Sequence, residues 1–221
     1  MNQENEDAQE YVSIIGMNYT LPISSLVEKI LDEERLPPID TATVYDNGYS
    51  VGIIVLTILM LESFVRRASL VLEDEYDNVF KYIKNTFSDY SRIDILEELF
   101  VLRDAIVHNH LWSMNASWDE RGIMHVSDIN HLAGGDKKYK RVIDQETHRT
   151  KILKMRLRPT CICFEEAFIV LHETYMFFEY LESKNRNIIY LDAIIIKYGN
   201  KALRFPQFIK EIPKLKESSV F

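Results

Sequence analysis

Cysteine is nearly missing from this chain. Cys161 and Cys163 are the only two in 221 residues. One residue apart, they cannot build a disulfide framework, and a CxC without a second pair makes a poor zinc site. They read as reduced, partly buried thiols, and no metal or cofactor is expected. Glycine and proline are scarce too, at seven and six, which favours long regular elements over a turn-rich β fold. There is no Gly-rich phosphate loop, no GxSxG elbow and no HExxH pair, so P-loop, α/β-hydrolase and zincin chemistry are excluded on motif grounds. The longest apolar run, Ile53 to Leu61 with only Thr57 interrupting, falls short of the ~18–20 residues that cross a bilayer. The opening MNQENEDAQE is acidic, without a basic n-region or an apolar h-region, and reads as a flexible tail over residues 1–10. A cytoplasmic protein with no membrane partner is expected. Excess positive charge is also absent. A net charge of −8 argues against a protein that coats nucleic acid without selectivity.

What is present is a well-mixed globular composition, 47% hydrophobic and 27% charged, of a length suited to one domain over residues 1–221. Tyr11 to Tyr19 reads as a short strand or an apolar lead-in. A helix follows from Leu21 to about Arg35, and Pro37-Pro38 stops it. Asp40 to Tyr49 reads as a loop with Asn47-Gly48 as its turn. Ser50 then caps a long central helix to about Leu72. Tyr76 to Phe87 has Val79, Phe80, Ile83 and Phe87 at helical spacing, and Ser91 or Asp94 caps the next helix. From about 113 to 158 the pattern changes: Gly122 to Val126, Tyr139 to Ile143 and Lys151 to Arg158 alternate like short strands. This segment reads as a β-hairpin or meander inserted between helices. Phe164 to Ser183 is a strong helix with Phe168, Leu171, Tyr175, Phe178 and Leu181 as its stripe. Ile188 to Tyr198 fits helix or strand, and the Pro206 to Ser219 end reads as a docked or loose tail. Trp112, Trp118 and the Tyr175 to Tyr180 aromatics are assigned to the core, as is His172.

The most informative stretch is Leu96 to Trp112, LEELFVLRDAIVHNHLW. At about 100° per residue, Ile95, Leu99, Leu102 and Ile106 share one arc, with Arg103 and His110 at its edge. Asp104 and His108, at i and i+4, stack on another face. An Asp one turn before a His can fix its tautomer and raise its basicity. A guanidinium beside an apolar stripe calls for an anionic partner. That partner is a phosphate in a catalytic reading, or Glu62 or Glu98 in a structural one.

Arg, then a polar residue, then His after four to six intervening positions near the end of an apolar helix resembles the signature of the HEPN family. Arg103-Asp104-Ala105-Ile106-Val107-His108 matches the four-residue spacing, and His110 matches the six-residue one. The Asp104 stack favours His108. The resemblance implies a mostly α, HEPN-like helical bundle and a metal-independent endoribonuclease, acting as a toxin, stress or antiphage effector with a cognate antitoxin as a partner. In such chemistry the RNA 2′-hydroxyl attacks the adjacent phosphate. His108 moves protons, Arg103 meets the phosphoryl oxygens, and Asp104 orients one of them. Five residues apart on an ideal helix, Arg103 and His108 diverge by about 140°. Either a local deformation or a homodimer with a composite cleft brings them onto one phosphate, and HEPN ribonucleases resemble the second case. Where some HEPN toxins carry a modifiable Tyr three residues after the motif His, this chain has Leu111.

Residues Lys137 to Arg158 hold nine Lys or Arg against Asp144 and Glu146. As a strand, Leu153 to Arg158 would place Lys154, Arg156 and Arg158 on one face, an RNA-binding ladder that tracks a phosphate backbone, or a solvated face. The other functional class compatible with these residues is a non-catalytic module that binds nucleotide, RNA or a partner protein through the same cleft.

Overall fold

A computed structural model of the protein describes residues 14–32, 44–107, 112–122, 124–131 and 137–218. Among them are seven α-helices and two two-stranded antiparallel sheets, a mostly helical architecture. A 3-10 turn, Ile15–Tyr19, leads into α1 (Thr20–Asp32). The long α2 (Val44–Val71) is followed by α3 (Val79–Thr86) and α4 (Ile93–Val107).

Helix α2 is the centre of the core. Apolar on nearly every side, it packs against α1, α4 and α6 (Phe164–Lys184), and Ile53, Ile54, Ile58, Leu61, Phe64 and Val65 are fully or almost fully buried. The ring of Phe64 meets Phe178 edge-on at 5.0 Å. By length and composition the segment Asn47–Val71 is apolar enough to cross a membrane, but half of its most apolar window is buried inside the fold. Those side chains already face protein. The helix also begins earlier than its sequence suggests. Asn47-Gly48 makes no turn, because Asn47 Nδ2 donates to the Ile162 carbonyl at 2.9 Å and a tertiary contact overrides local preference.

The start of α3 is set by Asn78, whose side chain accepts from the Phe80 and Lys81 amides. Tyr76 therefore lies outside the helix, stacked under Arg66. In α4, the carbonyl of Arg92 takes the Ile95 and Leu96 amides, and Asp94 lies inside the first turn. Helix α6 follows its predicted span closely, with Leu171, Tyr175, Phe178 and Leu181 buried.

One tight approach was invisible in the sequence. A Cβ added to Gly16 would stand 2.7 Å from the ring of Phe64, which is buried and cannot yield. Gly16→Ala is expected to cost about 1–3 kcal/mol through overpacking, read as a lower urea midpoint at unchanged slope.

The inserted region is a hairpin followed by a helix, not a meander. Strands β1 (Trp112–Trp118) and β2 (Met124–His131) pair antiparallel, with Trp118 opposite Met124. The connecting turn holds Gly122 at φ 74°, while the Asp119 side chain accepts the Arg121 amide. The expected strand at Tyr139 to Ile143 is instead α5 (Lys137–Val142), with Tyr139 and Val142 buried three residues apart. Nor is Lys151 to Arg158 a strand. It is a turn with isolated bridges, and Lys154 sits at φ 57°. Its amides are captured by side chains: Glu98 takes Ile152 and Leu153, and Thr150 Oγ1 takes Met155.

The C-terminal segment is docked. A 3-10 turn at Leu191–Ala193, β3 (Ile195–Tyr198) and β4 (Lys201–Arg204) precede α7 (Phe205–Ser218). Helix α7 inserts Phe205, Phe208, Ile209 and Ile212 into the core.

Candidate functional site

The second half of α4 carries the motif, and α2 and α5 flank it. Arg103 lies on the arc between α4 and α2, and its side chain keeps 21% of its exposure. Its Nη2 donates to the Glu62 carboxylate on α2, so the ion pair weighed for Glu62 is present. Arg103 Nε is 3.4 Å from Asp104 Oδ1, a charge contact without hydrogen-bond alignment, and this buried Nε–H has no acceptor. Asp104 Oδ2 in turn accepts from Lys138 Nζ on α5 at 2.9 Å. Four charges from three helices form one chain: Glu62, Arg103, Asp104, Lys138.

Burial pushes the Glu62 carboxyl above the usual carboxylate range. Arg103 pulls it back and the Asp104 charge raises it again. A neutral Glu62 leaves the Arg103 charge uncompensated on that side.

His108 and His110 lie outside the described residues, immediately beyond Val107 at the end of α4. Of the motif residues, Arg103 and Asp104 are the ones described.

Glu98, one turn and one residue before Arg103, is 1% exposed. Its Oε1 and Oε2 accept the Ile152 and Leu153 amides at 2.6 and 2.8 Å, and Glu97 beside it pairs with Arg141. These carboxylates fasten the 137–156 segment to α4. Glu98→Ala is expected to cost about 2–3 kcal/mol, the loss of two charge-assisted bonds tempered by solvation of the freed amides. Faster hydrogen exchange at Ile152 and Leu153 is the direct readout, and unchanged protection there would contradict this role.

The cationic ladder does not form. Without a strand, its three members go separate ways. Lys154 is exposed. Arg156 binds Glu166 through Nε at 2.7 Å and Nη2 at 3.0 Å, and Glu165 through Nη2 at 2.9 Å. Burial alone would lower the Arg156 pKa, but the bonds to Glu166 outweigh it and the net shift is upward. Arg158 is half-buried, with Nε and Nη2 shielded and lacking hydrogen-bond partners.

Two aromatic and histidine assignments are corrected. Trp118 is 66% exposed beside the hairpin turn, an aromatic surface that composition alone placed in the core. The His172 side chain is 57% exposed. Its neighbour Glu173 is the buried group, held by Arg92 at 2.6 Å. Cys163 is buried and caps α6 in a reciprocal arrangement with Glu166. Among the described residues no group of three or more His, Cys, Asp or Glu is placed to hold a metal ion.

Comparison of the chain with protein-family models, with curated proteins and with solved structures finds no match in any of the three.

Proposed function

We propose that this chain is a HEPN-type, metal-independent endoribonuclease whose reacting groups are Arg103 and His108, with Asp104 positioning. The observation that carries the reading is the state of Arg103. The motif arginine is held between α2 and α4 and keeps 21% of its side-chain exposure. A phosphoryl oxygen is a natural acceptor for guanidinium donors that reach solvent. Glu62 and Asp104 keep the guanidinium in place without exhausting its donors. His108 follows five residues later in the sequence. A homodimer in which two copies of the motif meet across a two-fold axis would bring Arg103 and His108 onto one phosphate.

The Arg103–Glu62 pair itself favours a second reading, a non-catalytic module in which Arg103 is chiefly structural and the cleft binds nucleotide, RNA or a partner protein. Incubating the purified chain with a mixed single-stranded RNA pool in excess EDTA separates the two. The ribonuclease reading expects cleavage that survives the chelator and leaves 2′,3′-cyclic phosphate ends. Intact RNA with a well-folded protein supports the module.

A further inference from the structure

A second face of α2 borders a cavity that no part of the ribonuclease reading uses. Phe64 stands about 200° round the helix axis from Glu62. Here α2 meets the N-terminal 3-10 turn and the 186–194 segment around a cavity of about 160 Å³. Met17, Phe64, Ile188 and Ile194 are among its apolar walls, and Arg67, Arg186 and Tyr190 also line it.

The lining is chemically lopsided. Among the described lining residues are two guanidinium groups and no carboxylate. Arg67 is fixed in position, since its Nε donates to the Asn187 and Ile188 carbonyls at 3.1 and 3.0 Å. Burial draws its pKa below the ordinary arginine value. Arg186 lies over Tyr190, 5.3 Å from Cζ to ring centroid, and Tyr190 is 47% exposed. A flat aromatic surface and a cation thus stand together at the solvent side of an apolar hollow. A volume of about 160 Å³ suits one six-membered ring, since an apolar cavity of about that size takes benzene.

We propose that this cavity binds a small anion built on a single aromatic ring. The ring lies among Ile14, Met17 and Tyr190, over the buried Phe64 and Ile194, and its phosphate or carboxylate meets Arg186 within the field of Arg67. The ring gains apolar burial and an aromatic neighbour, and the head group gains the two positive charges. The site is independent of Arg103 and His108, so it stands or falls apart from the nuclease.

Calorimetric titration of the full chain at low salt tests it, with phenyl phosphate as the main probe. Benzoate varies the head group, inorganic phosphate removes the ring, and benzyl alcohol removes the charge. Phenyl phosphate or benzoate is expected to bind at least about tenfold more tightly than either truncated probe, and the tighter of the two names the head group. Arg186→Glu, at an exposed position, is expected to weaken that binding by about tenfold or more, with Arg186→Lys intermediate. Arg103→Ala is expected to leave it unchanged. Equal affinity for inorganic phosphate, undiminished binding by Arg186→Glu, or loss of binding in Arg103→Ala would each overturn the proposal.

Discussion

Arg156→Ala is expected to lower folding stability by about 3–5 kcal/mol, the cost of stranding a buried carboxylate, and to leave RNA affinity of the folded protein unchanged. The carboxylate is that of Glu166, 3% exposed. Its Oε1 takes the Arg156 amide at 3.2 Å and Arg156 Nε at 2.7 Å, and its Oε2 takes the Cys163 amide at 3.0 Å. Removing the guanidinium leaves this group with amide donors alone and unties the 149–158 turn from the start of α6. Urea denaturation gives the stability, and a filter-binding isotherm on an RNA oligonucleotide gives the affinity. The double variant Arg156→Met with Glu166→Leu is expected to recover much of the loss, because removing both charges avoids the unpaired one. A fully stable Arg156→Ala that binds RNA poorly would reinstate the arginine as a nucleic-acid contact.

Arg103→Ala is expected to reduce RNA cleavage by about 10²–10³-fold, as removal of one donor to a developing charge does in other enzymes. The loss of stability should be smaller, about 1–2 kcal/mol, because Glu62 and Asp104 are a quarter exposed and partly rehydrate. Glu62→Gln separates positioning from charge. Glutamine still accepts from Arg103, so the guanidinium stays in place while its field on the phosphate strengthens. RNA affinity should therefore rise, and its dependence on pH should flatten.

The direction in the wild type follows from the Glu62 pKa, raised above its ordinary value. As pH falls through that raised value, Glu62 becomes neutral and RNA affinity is expected to grow. The same shift has a stability sign. A carboxyl whose folded pKa is raised contributes stability that is present below its unfolded pKa and lost as pH rises through the folded one. Glu62→Gln should abolish that part of the pH profile. An unchanged affinity profile in Glu62→Gln would show that this carboxyl does not tune the motif.

Much of the helical frame was legible because its apolar periodicity is strong. Leu171, Tyr175, Phe178 and Leu181 declare the buried face of α6, and Ile53 to Leu61 the central stretch of α2. Boundaries failed where a distant partner decides. Asn47-Gly48 reads as a turn until the Ile162 carbonyl is brought to Asn47. The 137–158 region failed for a related reason. Alternation in Leu153 to Arg158 is a valid strand pattern, but the amides of Ile152 and Leu153 go to Glu98, some 54 residues away in sequence, and nothing local announces that capture. Tyr139 and Ile143 share a face in a strand as well as in a helix, whereas Tyr139 and Val142, both buried, share one only in a helix, and packing against α4 goes with the helix.

The site was legible in part. Arg103 with Asp104 could be placed from spacing, and Glu62 was named beforehand as one structural partner. Lys138 was not, because its meeting with Asp104 depends on α5 existing at all. Trp118 was misassigned to the core because its exposure follows from its place at the end of a hairpin rather than from its residue type.

The central claim is that His108 and Arg103 form a reacting pair. Its most direct test compares wild type, His108→Ala and His110→Ala for cleavage of single-stranded RNA in excess EDTA, with RNA binding measured on the same samples. The account predicts metal-independent cleavage by wild type and by His110→Ala. It predicts a loss of about 10²–10⁴-fold for His108→Ala, the range carried by one positioned acid or base, with RNA affinity retained. Cleavage by His108→Ala at the wild-type rate would contradict it.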